Sequence, residues 1–362
     1  MYPPCQSPFR AAASAINRLS FLAHPGNFLY YTSCQRRGKS LKNIDVFFYE
    51  AFEEEAKVLS SLLGSDISSD FTPKTIQESG HREPPARLLS IRTQSLIPRE
   101  WDEQFDGILS RSTGYDHLLA YASSNGTRLP LGYLEEYATR AVAEHAIMLT
   151  MALLRKLPQQ MRQVPSFNRD GLTGVECEGR NLLVVGVGRI GREIVSLAQG
   201  VGFVVKGVDI VHGEPEVTYV SKENGVPWAD VIVNAMNLTT ENRGYFSFDL
   251  FSTARRGLLF VNIARGEHSP LAEVERALAA GRLGGLGLDV FEDEGNFGAS
   301  LRNEDQPASP QRSVVERLLS YPNVILTPHN AFNSEGALRG KSALTVRQVK
   351  FFLKNKDFLW KI

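Results

Sequence analysis

The stretch LLVVGVGRIGREIV, residues 182–195, places three closely spaced glycines directly after a strand-like apolar run. Gly186, Gly188 and Gly191 form a G-x-G-x-x-G pattern where a helical segment begins. The first glycine permits a tight turn, the second lets the backbone approach a pyrophosphate, and the third allows close helix–strand packing. A helix N-terminus also favours negative charge. The stretch predicts a dinucleotide-binding loop that includes Arg189 and Ile190.

An acidic residue at a suitable distance supports this interpretation over a chance glycine turn in an unrelated α/β protein. A second strand-like run, FVVKGVDI, ends at Asp209, 18 residues after Gly191. A carboxylate at this position can bind the ribose hydroxyls and would repel a 2′-phosphate. The next residues, Ile210, Val211 and His212, supply no arginine for such a phosphate. The predicted cofactor is therefore NAD, not NADP.

The glycine loop begins a series of alternating strand and helix signals. Six apolar runs follow one another, and they predict a doubly wound parallel sheet: NLLVVGVG, FVVKGVDI, DVIVNAM, GLLFVNIA, GGLGLDVF and NVILTPH. Before them, residues 141–161 predict one long helix buried between two bodies, because they are mostly apolar. Residues 295–313 are rich in Gly, Asn, Ser and Pro, which predicts a long surface loop.

A first domain is expected ahead of the glycine loop, which begins about 140 residues after the first strand signal. Strand-like runs lie at residues 42–50, 86–94 and 107–114, and EAFEEEAKVLSSLLG has helical spacing with a closing glycine. Strands that alternate with helices indicate βαβ units and a second parallel sheet.

Composition excludes several classes of protein. The chain has 362 residues and no formal net charge, with 40 basic and 40 acidic residues, so neither nucleic acid nor a membrane surface is an expected partner. Its three cysteines are scattered singly, which argues against a disulfide framework and favours a reduced compartment. The seven histidines do not cluster, and no metal is expected. The apolar run at 146–154 is too short to span a bilayer.

The first 44 residues contain four arginines, two lysines and no acidic residue. We interpret residues 1–41 as a loose N-terminal extension of a cytoplasmic protein. The alternative is a mitochondrial transit segment, because such segments are also rich in arginine and poor in acids.

Four stretches together resemble the D-isomer-specific 2-hydroxyacid dehydrogenases: RSTGYDHL (111–118), GVGRIG (186–191), VNIARGE (261–267), and GLDVFEDE to TPHNAF (287–332). The similarity runs from about residue 42 to the end, and YPNVILTPHNAF looks most like the D-lactate dehydrogenase branch. The resemblance implies an α/β fold of two doubly wound parallel-sheet domains, and a homodimer. The two expected domains are a Rossmann-type NAD-binding domain at 139–332 and a flavodoxin-like substrate domain at 42–138 and 333–362.

The resemblance also implies a catalytic set. Arg265 matches the arginine that holds the substrate carboxylate, and a guanidinium fork suits that group. His329 matches the acid/base histidine, and Glu294 matches the glutamate that favours its protonated form. Each residue alone could be structural, as a strand-end cap, a surface arginine or a solvated acidic turn. Their joint position at the C-terminal ends of successive strands favours a site.

Further positions complete the predicted site. Thr113 and Gly114 match the loop whose backbone N–H groups receive the substrate carboxylate, and Arg92 lies on a loop that touches substrate in some relatives. The resemblance also adds cofactor residues that follow later strands of the second sheet: Asn237, Ile263 and Asp289. Asp289 matches the residue that lies near the nicotinamide ring.

Some positions depart from the family pattern or invite a role that we do not assign. Asn237 stands where proline is common and Ala235 where His or Cys is common, which predicts altered cofactor affinity with the chemistry retained. His268 matches no catalytic position and is interpreted as structural. Glu144 and His145 are adjacent on a helix and point about 100° apart, so we do not expect an acid/base pair.

The predicted activity is NAD-dependent reduction of a small 2-oxo acid, pyruvate or a near relative, to the D-2-hydroxy acid. One alternative is a relative that acts on larger aromatic or branched 2-oxo acids. The other is a dinucleotide-sensing binding protein similar to the family's corepressors, which keep the fold and the catalytic residues.

Overall fold

The computed structural model of the chain describes residues 44–102, 104–302 and 309–362. The N-terminal extension predicted at residues 1–41 lies outside these ranges. Within them, no helix has the length and apolar character needed to cross a membrane.

The first sheet has five parallel strands in the order β2-β1-β3-β4-β5. Its strands are β1 (Val46–Phe48), β2 (Ser69–Phe71), β3 (Leu88–Ile91), β4 (Gly107–Ser110) and β5 (Leu131–Gly132), with helices α1 (Glu53–Leu63), α2 (Ile76–Ser79) and α3 (Asp116–Asn125). Every residue of β1, β3 and β4 is buried, as expected for a parallel sheet covered on both faces. The strand order is the flavodoxin-like one.

The second sheet has seven parallel strands in the order β12-β11-β10-β9-β6-β7-β8. Its strands are β6 (Asn181–Val185), β7 (Val204–Val208), β8 (Thr218–Tyr219), β9 (Val231–Asn234), β10 (Leu258–Asn262), β11 (Leu283–Leu288) and β12 (Val324–Leu326). The strand order reverses at β6, so a ligand-binding crevice is expected at its carboxyl end. The predicted class, two doubly wound parallel-sheet domains, is confirmed.

The remaining helices are α4 (Thr139–Leu154), α5 (Leu157–Gln163), α6 (Arg189–Gly200), α7 (Lys222–Trp228), α8 (Phe248–Thr253), α9 (Leu271–Ala279), α10 (Glu294–Arg302), α11 (Pro310–Ser320) and α12 (Glu335–Asn355). Helix α12 returns to the first sheet, where Phe352 shares a core with Phe48. Helix α4 packs on the second sheet, where Ala146 shares a core with Val184. This division is what the predicted domains require, although their boundaries stay a prediction.

Two predicted elements were wrong. The single helix expected at 141–161 is two helices, because Lys156 adopts a left-handed backbone (φ 52°) and Pro158, in the first turn of the next helix, has no amide hydrogen to continue the first one. The surface loop expected at 295–313 contains α10 and the start of α11. The side chain of Phe297 is buried and its ring centroid lies 5.1 Å from that of Phe291, so tertiary packing offsets the weak helix propensity of this segment. Residues 303–308 lie outside the described ranges.

Candidate active site and cofactor crevice

The glycine loop joins β6 to α6 at the point where the strand order reverses. Gly186 has φ +90°, a conformation that favours glycine, and its N–H donates to the Val208 carbonyl at 2.8 Å. A side chain at Gly186 would lie 2.6 Å from the Met236 nitrogen, and one at Gly191 would overlap the Gly186 carbonyl oxygen. Gly188 has open space where a side chain would be. Two glycines therefore serve packing, and Gly188 leaves room for a pyrophosphate at the helix N-terminus.

Asp209 follows β7 and lies beside this loop. One carboxylate oxygen accepts the Val187 N–H at 2.5 Å, and the other accepts the Val211 N–H at 2.9 Å. Each oxygen keeps a lone pair with which it can accept a ribose hydroxyl. The adjacent Ile210 side chain is fully exposed. A fixed carboxylate and an exposed apolar surface next to the glycine loop fit the adenosine half of NAD.

The other cofactor candidates lie along the same edge of the sheet. Arg189 begins α6 and its guanidinium lies 3.6 Å from the Glu136 carboxylate, while Ile190 packs against the adjacent core. Asn237 is exposed beyond β9, and Ile263 is buried directly after β10. The carboxyl ends of parallel strands thus bring Asn237 and Ile263 to the crevice edge next to the glycine loop.

Asp289, expected near the nicotinamide, is fully buried and holds the loop that carries His329. One of its oxygens accepts the Thr327 hydroxyl at 2.5 Å and the Asn330 N–H at 2.8 Å. The other accepts the Ala331 N–H at 2.9 Å. Asp289 therefore fixes the backbone of the loop after β12 through these hydrogen bonds. This structural role was not predicted from the sequence.

The structure brings Glu294 and His329 together. Glu294 begins α10, His329 follows β12, and imidazole Nδ1 lies 2.5 Å from a Glu294 carboxylate oxygen. His329 has a left-handed backbone (φ 50°), which directs its side chain differently from that of an extended strand end. Both side chains are mostly buried, with 24% and 18% exposed. Because Nδ1 faces the carboxylate, Nε2 is the nitrogen that can exchange a proton with a substrate.

Arg265 connects the second sheet with the loop after β4. Its guanidinium donates to the Asp116 carboxylate at 3.0 Å and lies where a side chain at Gly114 would be. Burial alone would raise the pKa of Asp116, but the Arg265 guanidinium holds it below its usual value. Asp116, which the sequence analysis did not select, therefore balances the Arg265 charge. Among the described residues, no hydrogen bond or ion pair joins Arg265 to His329.

The backbone N–H groups of Thr113 and Gly114 are available to bind an anion. The Thr113 hydroxyl donates to the Glu135 carbonyl at 3.2 Å, and the Gly114 carbonyl accepts the Ser112 hydroxyl at 2.7 Å. Their two N–H groups have no hydrogen-bond partner within the described parts of the chain. Together with Arg265, these donors could hold a carboxylate.

The loop that carries Arg265 rests on a buried polar network. The Asn262 side-chain amide donates to the Arg265 carbonyl at 2.9 Å, and its oxygen accepts from Asn234 at 3.0 Å. Asn234 in turn contacts Nδ1 of His268 at 2.9 Å, and burial lowers the pKa of His268 to about 4. A neutral, fully buried imidazole in this network agrees with the structural role expected for His268.

The adjacent residues Glu144 and His145 have different partners, as expected. Glu144 pairs with Arg140 at 2.6 Å, whereas Nε2 of His145 lies 3.1 Å from the Thr327 hydroxyl. Glu144 and His145 therefore do not form an acid/base pair.

A cavity of about 170 Å³ opens beside His329. Its lining includes Glu50, Phe52, Thr75, Arg92, Arg302 and His329. The Glu50 carboxylate accepts the backbone N–H groups of Arg92, Gln94 and Ser95 at 3.0–3.1 Å, which fixes the loop after β3. Arg265 is not part of this lining. The cavity therefore lies on the His329 and Arg92 side of the site.

A dinucleotide crevice at the strand-order reversal and an imidazole–carboxylate pair on the same sheet edge define an NAD-dependent oxidoreductase. The family model described as "D-isomer specific 2-hydroxyacid dehydrogenase, NAD binding domain" matches residues 147–331. The chain belongs to the D-isomer-specific 2-hydroxyacid dehydrogenase family.

Individual relatives agree with this assignment. A "2-hydroxyacid dehydrogenase A" of Aspergillus oryzae is 30% identical over 255 residues, which cover 68% of this chain and 71% of that protein. An "Aromatic 2-oxoacid reductase" of Clostridium sporogenes is 29% identical over 223 residues, covering 60% of this chain and 66% of that protein. The crystal structure of D-lactate dehydrogenase from Aquifex aeolicus with NAD and lactic acid has a TM-score of 0.76 and 26% identity, covering 87% of this chain and 99% of that one. The predicted family, its D-lactate dehydrogenase branch and the NAD cofactor are confirmed.

Proposed function

We propose that this dehydrogenase reduces a small 2-oxo acid to the D-2-hydroxy acid, with His329, Glu294 and Arg265 as its working residues. The observation that carries the proposal is the 2.5 Å contact between Glu294 and His329 on the sheet edge that holds the glycine loop. Reduction of a 2-oxo acid needs a hydride at carbon and a proton at oxygen, and NADH supplies the hydride when bound. The protein must then supply the proton and hold the acid.

His329 supplies the proton in this proposal. Glu294 accepts from Nδ1 and so directs Nε2 of the protonated imidazole towards the substrate carbonyl oxygen, which becomes the alcohol. In the reverse direction the neutral imidazole takes the alcohol proton. The Glu294 carboxylate also fixes the orientation of the imidazole, because it lies 2.5 Å from Nδ1.

Arg265 and the Thr113–Gly114 amides hold the substrate carboxylate. The guanidinium already lies against Gly114, so a carboxylate that displaces the Asp116 contact would meet a charged fork and two free N–H groups. This grip fixes the carbonyl next to His329. Closure of the two domains around the substrate would exclude water during the transfer.

Two alternatives to this function differ in the ligand that the protein acts on or senses. A larger aromatic 2-oxo acid is a second candidate because the Clostridium sporogenes relative is named as an aromatic 2-oxoacid reductase. A dinucleotide-sensing role would require NADH binding without turnover of any 2-oxo acid.

The test is turnover of a panel of 2-oxo acids with NADH and NADPH in parallel. We expect NADH oxidation with a small acid at a kcat/KM that exceeds the value for phenylpyruvate by about ten-fold or more, which is the preference that the proposal requires. NADPH should support little turnover because Asp209 repels its phosphate. Intact NADH binding with no turnover of any acid would refute the proposal in favour of the sensor.

A Glu294→Gln variant should lower kcat for reduction about 10- to 100-fold, because a hydrogen bond to a charged group contributes about 1.5–3 kcal/mol. NADH affinity, measured by fluorescence titration, should stay unchanged. Glu316→Gln is the matched control, since that carboxylate is exposed on α11 and pairs with Arg312. Equal kcat values for Glu294→Gln and the control would remove Glu294 from the mechanism.

The homodimer is also a proposal. It is supported by exposed apolar side chains on α4, on α5 and in the segment that follows them: Met148, Met151, Leu157, Met161, Val164 and Phe167. Burial of such a row against a second copy removes apolar surface from water. The cytoplasmic location stays a prediction, since residues 1–43 lie outside the described ranges.

A further inference from the structure

The cavity beside His329 has an arginine in its wall whose charge is not balanced locally. Arg92 follows β3, and its guanidinium lies 4.2 Å from the ring centroid of Phe332 and 5.9 Å from that of Phe52. Its Nε is buried without a hydrogen-bond partner. Within the described ranges, the Arg92 side chain forms no ion pair. Arg92 as a whole is partly exposed where it lines the cavity, and a guanidinium without an ion pair at such a place is suited to an anionic ligand.

A second cation lies behind the same two aromatic rings. The Lys341 ammonium, on α12, lies 5.0 Å from the ring centroid of Phe52 and 5.1 Å from that of Phe332. Its side chain is 1% exposed, and its only ion pair among the described residues is with Glu55 at 3.0 Å. Because both cations contact the same two rings, their charges act on one end of the cavity.

The acidic groups near these cations do not balance them. Glu55 is fully buried and also pairs with Arg111 at 2.9 Å, so one carboxylate serves two buried cations. The Glu50 carboxylate is engaged by the three backbone N–H groups of the loop after β3. Burial lowers the pKa of Lys341 to about 7, and repulsion from Arg92 adds to this effect. The positive charge at this end therefore rests mainly on the Arg92 guanidinium, and an anion bound beside it would favour the charged form of Lys341.

We propose that the substrate is a 2-oxo diacid whose second carboxylate binds Arg92, with Lys341 adding positive charge from behind the two rings. This inference rests on the proposed function and specifies its substrate class. The first carboxylate binds Arg265, the carbonyl faces His329, and the side chain points to the Arg92 end. The hydride from NADH goes to the carbonyl carbon, the His329 proton goes to its oxygen, and the products are NAD and the D-2-hydroxy diacid.

Other side chains fit this end less well. An apolar side chain would cover the Arg92 guanidinium without giving its N–H groups an acceptor. An aromatic side chain would compete with Phe332 for the guanidinium face. A carboxylate matches the planar fork of arginine and offsets its charge.

The experiment compares acids of equal chain length that differ only in the terminal carboxylate: 2-oxoglutarate against 2-oxopentanoate, and oxaloacetate against 2-oxobutanoate. For the unmodified protein with NADH, we expect kcat/KM to be about ten-fold or more higher for each diacid, since charge-assisted contacts are the stronger ones. Arg92→Met should lower the diacid-to-monoacid ratio about ten-fold or more, mainly through a higher KM for the diacid.

Further variants test which charge acts. Lys341→Met should lower the same ratio several-fold, and Arg92→Lys should keep part of it, because the charge remains and the fork is lost. Arg339→Met is the control, since Arg339 is on the same helix but exposed and paired with Glu335, and the ratio should not change. Melting temperature and NADH binding report on folding. If Lys341→Met does not fold, Arg92→Met alone decides.

Each outcome has a distinct meaning. Equal or better turnover of the monoacids overturns the diacid assignment and leaves the proposed reductase intact. A diacid preference that survives in Arg92→Met overturns the assignment of this residue. Absence of turnover with every acid, despite NADH binding, overturns the proposed function and this inference together.

Discussion

Replacing His329 by asparagine should lower kcat for 2-oxo acid reduction by about two to four orders of magnitude, the usual contribution of a positioned general acid. Asparagine suits the test because it tolerates the left-handed backbone of this position (φ 50°) better than most residues. The loop should stay in place, since Asp289 holds it through the Asn330 and Ala331 N–H groups. Steady-state NADH oxidation at saturating substrate measures the loss.

The control for this variant is His81→Asn. His81 is also half-buried and hydrogen-bonded, to the Tyr49 hydroxyl at 2.7 Å, but it does not line the cavity beside His329. We expect its kcat to change less than about two-fold, because it donates no proton in the reaction. NADH binding should be the same in both variants. A His329→Asn enzyme with near-normal kcat would show that another group supplies the proton.

The fold could be predicted where the pattern is local and strong. The alternation of apolar strand-like runs with helical segments predicted the strand before Gly186 and the helix after it. It also predicted that Asp209 lies at the end of the next strand. Strands β5 and β8, two residues each, were missed because so short a segment has no detectable periodicity. Helix α10 was missed because it contains Gly295 and Gly298. Its stability comes from burial of Phe297, which a local pattern does not reveal.

In the candidate site, too, some contacts could be predicted from the sequence and others depend on the tertiary fold. The contact between Glu294 and His329 was expected from the resemblance, and the structure places the two side chains together. The partner of Arg265 was not expected, since Asp116 lies 149 positions earlier in the chain. Lys341 gave no signal either, because a lysine in a helix is usually exposed and its burial depends on tertiary structure. A contact between charged residues that are distant in the sequence depends on the tertiary fold, so the sequence alone does not predict it.

Replacing Arg265 by glutamine should lower kcat/KM for the 2-oxo acid about 10²- to 10³-fold, because two charge-assisted hydrogen bonds contribute about 1.5–3 kcal/mol each and add incompletely. Glutamine keeps a donor and loses both the charge and the fork. Because the carboxylate grip also orients the carbonyl towards His329, we expect kcat to fall along with a rise in KM. Initial rates over a wide range of substrate concentration separate the two effects.

Arg255→Gln is the matched control for Arg265→Gln. Arg255 precedes β10 at the opposite edge of the same sheet and pairs with Asp230 at 3.1 Å, so it cannot reach the substrate. Arg265→Lys should recover only part of the loss, because a lysine restores the charge without the planar fork. If Arg265→Gln kept the KM of the unmodified enzyme, the carboxylate would have to be held by the Thr113 and Gly114 amides alone. The Arg265–Asp116 pair would then serve to join the two domains.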